Sequence, residues 1–200
     1  MTCRVAYLAP ELPALSATFV YEELLAIESR GYAVLPVSVH APAVLAKEQE
    51  QLAARCVTIY DRPKWRIALA GVLRAPLQPG LRRAFGWLVS DLRFTGFSAT
   101  ALKLLFQFLA ATKVARVLRN RQVDHLHIHF AHVPTQIGMY AAALAGIPFS
   151  VMAHANDIFE RGLLLKQKAE RSRMFLTISE HNLAYLRSLG LPEEKLAVVR

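Results

Sequence analysis

Short apolar runs rich in Val, Ile and Leu alternate with helix-length segments from one end of this 200-residue chain to the other. The runs are "CRVAYLA" (residues 3–9), "AVLPVSV" (33–39), "CVTIY" (56–60), "DHLHIHFAH" (124–132), "PFSVMA" (148–153), "MFLTIS" (174–179) and the start "KLAVVR" (195–200). Runs apolar at nearly every position suit strands buried on both faces. Between them the pattern predicts helices near 17–30, 44–55, 99–121, 134–145, 163–171 and 180–189. The first would be capped by Ser16 or Thr18 and stopped by Gly31. Alternation of this kind predicts an α/β fold with a doubly wound, mostly parallel sheet and helices on both faces. Pro36 would place its strand at an edge or a bulge.

The stretch "DHLHIHFAH" carries His125, His127, His129 and His132. On a strand the first three share one face, while Leu126, Ile128 and Phe130 line the other. With a rise of about 3.3 Å per residue, His125 and His129 stand about 13 Å apart, so at most two of the three can meet at one ion. The expectation from the strand alone is no metal. Cys3 and Cys56 are single and far apart, without the paired spacing of a zinc site or a disulfide framework, which suits a reducing compartment.

Charge is unevenly spread. Residues 51–150 hold thirteen Lys and Arg against three Asp and Glu, and the other hundred hold eleven against twelve. From residue 62 to 93, seven basic side chains, Arg66, Arg74, Arg82 and Arg83 among them, interleave with Trp65, Phe85 and Trp87. Such a segment suits either an interface with anionic lipid or a solvated basic face on ordinary helices. No recognition motif accompanies the charge, so no nucleic-acid partner is expected. The apolar stretch 99–117 is interrupted by Lys103, Gln107, Lys113 and Arg116, which argues against a membrane span, and Arg4 followed by Glu11 argues against a leader peptide. A cytoplasmic location follows as the expectation.

Sheets of this class bind ligands at the carboxyl ends of their strands. The strand ends are polar where the strands are not: "APELPALSATF" (9–19), "HFAH" (129–132), "AHANDIF" (153–159) and "ISEHN" (178–182).

Four pieces, "SATFVYEELLAIESRGYAVLPVSV", "DHLHIHFAH", "GIPFSVMAHANDIF" and the run from Lys168 through "TISEHN", together resemble the family 4 glycosyltransferases of the GT-B fold, especially bacterial exopolysaccharide and colanic-acid types. The pieces occur in order and cover the chain nearly end to end. The resemblance implies retaining transfer of a sugar from a nucleotide-sugar donor to an acceptor hydroxyl, in a cleft between two Rossmann-like domains. Residues 1–200 look like the first, acceptor-side domain. In the family the second domain holds the nucleotide and a Glu-x7-Glu signature, and no two glutamates here are eight positions apart, so that C-terminal domain is expected to be absent from this chain and turnover to require it. Metal-independent chemistry without a cofactor is implied, and no Asp-x-Asp pair occurs.

By the same resemblance, His154 is the catalytic residue that reaches the donor sugar. Asn156 and Asp157 order its loop, with Asp157 capping the helix beyond. Ser16 and Thr18 meet phosphate or sugar oxygens, or serve as helix caps. Ala17 replaces the family's usual glutamate in that loop. His129 faces the cleft or packs, and Ser179 and Glu180 bind substrate or cap a helix. The acceptor would be a lipid-linked glycan and the enzyme would be peripheral to the inner membrane. Two rivals stand beside this reading: a lone domain that binds lipid or glycan without turnover, and a metal-dependent hydrolase using His127 and His129.

Overall fold

The computed structural model describes residues 3–14, 17–42 and 47–199. Among these residues seven strands lie in one sheet: β1 (Arg4–Glu11), β2 (Ala33–His40), β3 (Val57–Thr58), β4 (His125–His129), β5 (Phe149–Ala153), β6 (Met174–Thr177) and β7 (Leu196–Val198). Every pairing is parallel, in the order β3-β2-β1-β4-β5-β6-β7. The expected α/β sheet is thus wholly parallel, and strand order reverses between β1 and β4. The helices are α1 (Thr18–Ser29), α2 (Glu50–Arg55), α3 (Lys64–Arg74), α4 (Leu81–Thr95), α5 (Ala99–Asn120), α6 (Val133–Ala145), α7 (Ala155–Phe159), α8 (Leu165–Arg171) and α9 (Glu180–Ser188).

Alternation along the strands divides the interior in two. Ala6 and Leu8 of β1, with Leu126 and Ile128 of β4, join the larger core with α4, α5 and α6. Tyr7 and Ala9 face the other way and pack with Val20 and Leu24 of α1 and Leu52 of α2. Helix α6 lies tight on the larger face because Gly138 has no side chain there. A Cβ at that position would sit 2.5 Å from Ile128 Cδ1 and 3.0 Å from Leu8 Cδ2.

Three local expectations are corrected by packing. Pro36 sits on an interior strand, not an edge. Its register partner is Tyr7 of β1, and β3 pairs only with Val37 and Ser38, so Pro36 is spared a ladder on that side. The helical period of residues 99–121 puts Leu102, Leu105, Phe106, Leu109 and Val117 on the apolar side; helix α5 instead buries Leu104, Phe108, Ala111, Ala115 and Leu118, leaves Phe106 and Leu109 half-buried and turns Leu102 and Leu105 outward. The sequence is apolar on both sides of this helix, and packing on α6 selects between them. Phe130 adopts φ 70° at the end of β4 and crosses to the α1 side of the sheet.

One buried ion pair fastens the helices over the larger core. Asp91 of α4 is fully buried and accepts two hydrogen bonds from Arg171 of α8, each 2.7 Å, and one from the Tyr140 hydroxyl of α6, also 2.7 Å. The Arg171 guanidinium also lies 5.0 Å over the Trp87 ring. Removing one partner of a buried pair leaves a charge without compensation, whereas replacing both by apolar groups does not. Asp91→Ala should therefore lower unfolding stability by about 3–5 kcal/mol in urea titrations, and Asp91→Leu combined with Arg171→Met should recover most of that loss.

Candidate active site

The reversal of strand order between β1 and β4 opens a crevice at the carboxyl edge of the sheet, the usual ligand position in open α/β folds. Imidazoles converge beneath it. His127 and His129, two apart on β4, both face α1, with ring centroids 4.9 Å apart. Tyr7, in register with His127 on β1, lies 5.1 Å from the His127 ring and 5.8 Å from the His129 ring. His129 is fully buried, and the His154 ring lies 6.3 Å from it.

The neighbouring polar groups are specific. Ser150 of β5 places its Oγ 2.8 Å from His125 Nε2 and 2.7 Å from His127 Nδ1. Glu23, half-buried on α1, accepts a 2.9 Å hydrogen bond from the Tyr7 hydroxyl. Its Oε1 stands 3.7 Å from His127 Nε2 and its Oε2 3.4 Å from His129 Nε2. Burial acts to raise the Glu23 carboxyl, but His129, His127 and Tyr7 outweigh it and hold the group at about 2. Burial, reinforced by His129, pushes His127 down to about 3, so its ring is neutral at pH 7. Among the described residues Glu23, His127 and His129 each offer a ligand atom, all within 4.8 Å of one another. Strand geometry by itself allows at most two of the β4 histidines to share an ion; the third group here comes from a helix.

His154 precedes α7 at the end of β5. Its ring packs 4.7 Å from Phe130 and 5.1 Å from Phe19. Burial, then His129, lowers its imidazole to about 4. Its backbone N–H donates to Asp157 Oδ2 at 3.0 Å, and the Ala131 N–H donates to the same oxygen at 2.9 Å. The fully buried Asp157 carboxylate therefore joins the ends of β4 and β5 and caps α7, as the resemblance implied. Lys168 of α8, also fully buried, donates to Ala131 O at 2.6 Å and Leu163 O at 2.5 Å, bracing the same loop from below.

The other expected residues separate. Asn156 is exposed and donates to Glu160 Oε2 at 2.6 Å, turned to solvent along α7. Ser179 caps α9 by accepting from the Asn182 N–H at 3.2 Å, and Glu180 opens that helix on the exposed side. Thr18 is exposed as the first residue of α1, where Ala17 holds the cap position without a side-chain bond, so Thr18 is not the cap. Ser16 lies outside the described residues. Arg66, Arg82 and Arg83 are exposed on α3 and α4 and Arg74 is half-buried there, far along the chain from His154 and on different elements.

The sequence pointed to none of Tyr7, Glu23, Phe19 or Ser150. Glu23 did leave a trace, since it falls between Val20 and Leu24 on the inward stripe of α1, where a carboxylate is out of place unless it meets a partner. Beside the crevice, on the α5 side, lies a cavity of about 580 Å³ lined by Lys103, Gln107, His132, Gln136, Glu160 and Arg161. Gln107 Oε1 is buried there without a hydrogen-bond partner among the described residues.

Residues 16–200 match the sequence model of Glycosyltransferase Family 4. A protein named as a colanic acid biosynthesis glycosyltransferase, WcaL, of Salmonella typhimurium is 28% identical over 214 residues, covering 98% of this chain and 50% of the relative. The chain thus spans half the length of the curated relative it matches. Among solved structures, the UDP-GlcNAc 2-epimerase of Methanocaldococcus jannaschii superposes with a TM-score of 0.58 at 11% identity, over 98% of this chain and 45% of that one. The S. aureus MnaA–UDP complex gives 0.56 at 10% identity, over 98% and 43%. These two structural likenesses support the fold alone.

Lys168 gives a test of the bracing beneath the His154 loop. Burial, opposed by Asp157 and Asp91, pushes its ammonium down to about 7. Above that pH the unfolded chain binds a proton that the native chain does not, so this residue's contribution to stability rises with pH. In urea unfolding, the stability of the unsubstituted chain relative to Lys168→Met should grow by about 1–2 kcal/mol between roughly pH 7 and 8.5. A difference that stays flat would mean Lys168 keeps its charge when buried.

Proposed function

The chain belongs to glycosyltransferase family 4, and on that premise we propose that it is the acceptor-side domain of an enzyme that moves a sugar from a nucleotide-sugar donor to a hydroxyl of a glycan acceptor, with retention at the anomeric carbon. The observation that carries this reading is the placement of His154. It stands at the carboxyl end of β5 beside the strand-order reversal, wedged between Phe19 and Phe130, with its loop fixed by the buried Asp157 carboxylate. A neutral imidazole so held offers a preoriented hydrogen bond to a sugar hydroxyl, without the cost of ordering it at the moment of reaction.

Asp157 is a positioning residue in this scheme, because its Oδ2 is committed to two backbone N–H groups. The departing diphosphate is neutralised by basic side chains and a helix N-terminus of a second domain, with no metal on the phosphates. The cavity lined by Lys103, Gln107 and Arg161 receives the acceptor: its amides match hydroxyls, and its two cations match an anionic group on a lipid-linked glycan.

Helices α3 and α4 suit attachment to the cytoplasmic face of a membrane. Trp65, Leu73, Leu77 and Phe85 are each more than half exposed among the arginines, and a groove of about 530 Å³ runs between Val72, Phe85 and Leu105. The Arg66 and Arg83 guanidinium groups lie 5.0 and 4.9 Å over the Trp65 and Trp87 rings. Among the described residues no helix is long and apolar enough to cross a membrane. Surface attachment by amphipathic helices with basic flanks needs none.

Two measurements test the proposal. Joined to a matching second domain, the chain should transfer sugar, and His154→Ala should lower kcat by about tenfold to a thousandfold, the equivalent of about 1.4–4 kcal/mol of transition-state stabilisation. An unimpaired variant would remove His154 from the site. Sedimentation with liposomes should show salt-sensitive binding to anionic vesicles, weakened when Arg66, Arg74, Arg82 and Arg83 are all replaced by Gln. Equal binding to neutral vesicles would count against the membrane role.

A further inference from the structure

We infer that Glu23, His127 and His129 form a site for one divalent transition-metal ion of the zinc type, at the floor of the crevice and separate from the donor's phosphates.

Geometry carries the argument. When three N or O atoms each stand about 2.0–2.1 Å from a tetrahedral ion, they lie about 3.3–3.4 Å from one another. Glu23 Oε2 is 3.4 Å from His129 Nε2 and Glu23 Oε1 is 3.7 Å from His127 Nε2, and one ligand atom from each of the three residues falls within 4.8 Å of the others. Closing the set requires the longest of these separations to shorten by as much as about 1.4 Å, through rotation of the half-exposed Glu23 side chain and of the imidazole rings.

The polar bookkeeping of the interior points the same way. His127 Nε2 and both ring nitrogens of His129 are buried without a hydrogen-bond partner among the described residues. Buried polar atoms are ordinarily paired, and the two unpaired Nε2 atoms, on rings 4.9 Å apart, call for a common occupant. An ion on the two Nε2 atoms would supply a partner for both imidazoles at once and place a positive charge against the Glu23 carboxylate.

The surroundings also orient these groups as ligands. Ser150 Oγ takes His127 Nδ1 and leaves Nε2 for the ion, while the Tyr7 hydroxyl donates to Glu23 Oε1. Outer hydrogen bonds of this kind fix the tautomer and aim of metal ligands. Two imidazoles and one carboxylate favour zinc over magnesium or calcium, which prefer oxygen alone. Three protein ligands leave a fourth position open, and Glu23, 38% exposed at its side chain, marks the way in. His125 stays outside, since its Nε2 is held by Ser150.

The absence of metal expected from β4 alone rested on counting only strand residues. Two of its histidines suffice once α1 brings a carboxylate across the sheet, and the ion would then tie α1 to β4.

The test uses the 200-residue chain, freed of any affinity tag, incubated with zinc sulfate and dialysed against metal-free buffer. Mass spectrometry of the metal content should find about one zinc per chain, and Co(II) in its place should show the intense ligand-field bands of four-coordination. Glu23→Gln keeps an acceptor for the Tyr7 hydroxyl and sits on a half-exposed side chain, so it should fold like the unsubstituted protein in the absence of metal, as checked by circular dichroism. It should bind zinc more than about 100-fold more weakly, beyond the roughly 10–100-fold loss typical of an outer-shell change. His127→Ala should lose zinc as well, and His125→Ala should retain it. Less than about a tenth of an equivalent in the unsubstituted chain would overturn the inference, as would full retention by both Glu23→Gln and His127→Ala.

Discussion

Parallel pairing of every strand is the constraint on which the rest of this structure depends. It sends all carboxyl ends to one edge, and the reversal of order between β1 and β4 leaves two neighbouring strands whose connections depart to opposite faces. At that edge the chain can hold polar groups that a sheet interior would reject. Tyr7, His127, His129 and His154 gather toward it, drawn from β1, β4 and the end of β5, which lie far apart in the sequence.

The two faces of the sheet serve different ends. On one, Ala-rich stretches of α5 and α6 bring the helices close, Gly138 lets α6 press on Leu8 and Ile128, and Asp91 with Arg171 and Tyr140 closes the outer layer. On the other, α1 covers a smaller apolar cluster in which a carboxylate and two imidazoles replace aliphatic packing. Burying those groups forfeits some hydrophobic stabilisation and leaves ring nitrogens unpaired. Proteins tend to violate their own packing rules where they act on a ligand, and this face does so under the crevice.

Asp157 and Lys168 connect stability to function. Both are buried, and both hydrogen-bond backbone groups of the loops after β4 and β5 or of the turn before α8. These bonds fix the direction from which His154 meets the crevice. Exposed Asn156 and the helix caps Ser179 and Asp157 show that polarity at a strand end is shared between ligand-facing and structural duties. The two uses look alike in a linear motif, because both place the same short polar side chains at the same turn.

Local order was what the sequence by itself determined. Apolar runs of five to eight residues, alternating with helical periods, specify a parallel sheet, and the polar endings of those runs mark the edge where a ligand enters. Even the two faces of β4 follow from its period of two. What only the tertiary structure decided was which residues meet. Glu23 reaches His127 and His129 across about a hundred residues because α1 packs on Tyr7 and Ala9 of β1, the strand next to β4 in the sheet, a closeness no local pattern encodes. Helix α5 chose Leu104 and Phe108 over Leu102 and Leu105 because α6 offered a close surface to one side only, and Pro36 was admitted to an interior strand because β3 is two residues long. In each case the side chains had more than one permissible partner, and long-range packing selected among them.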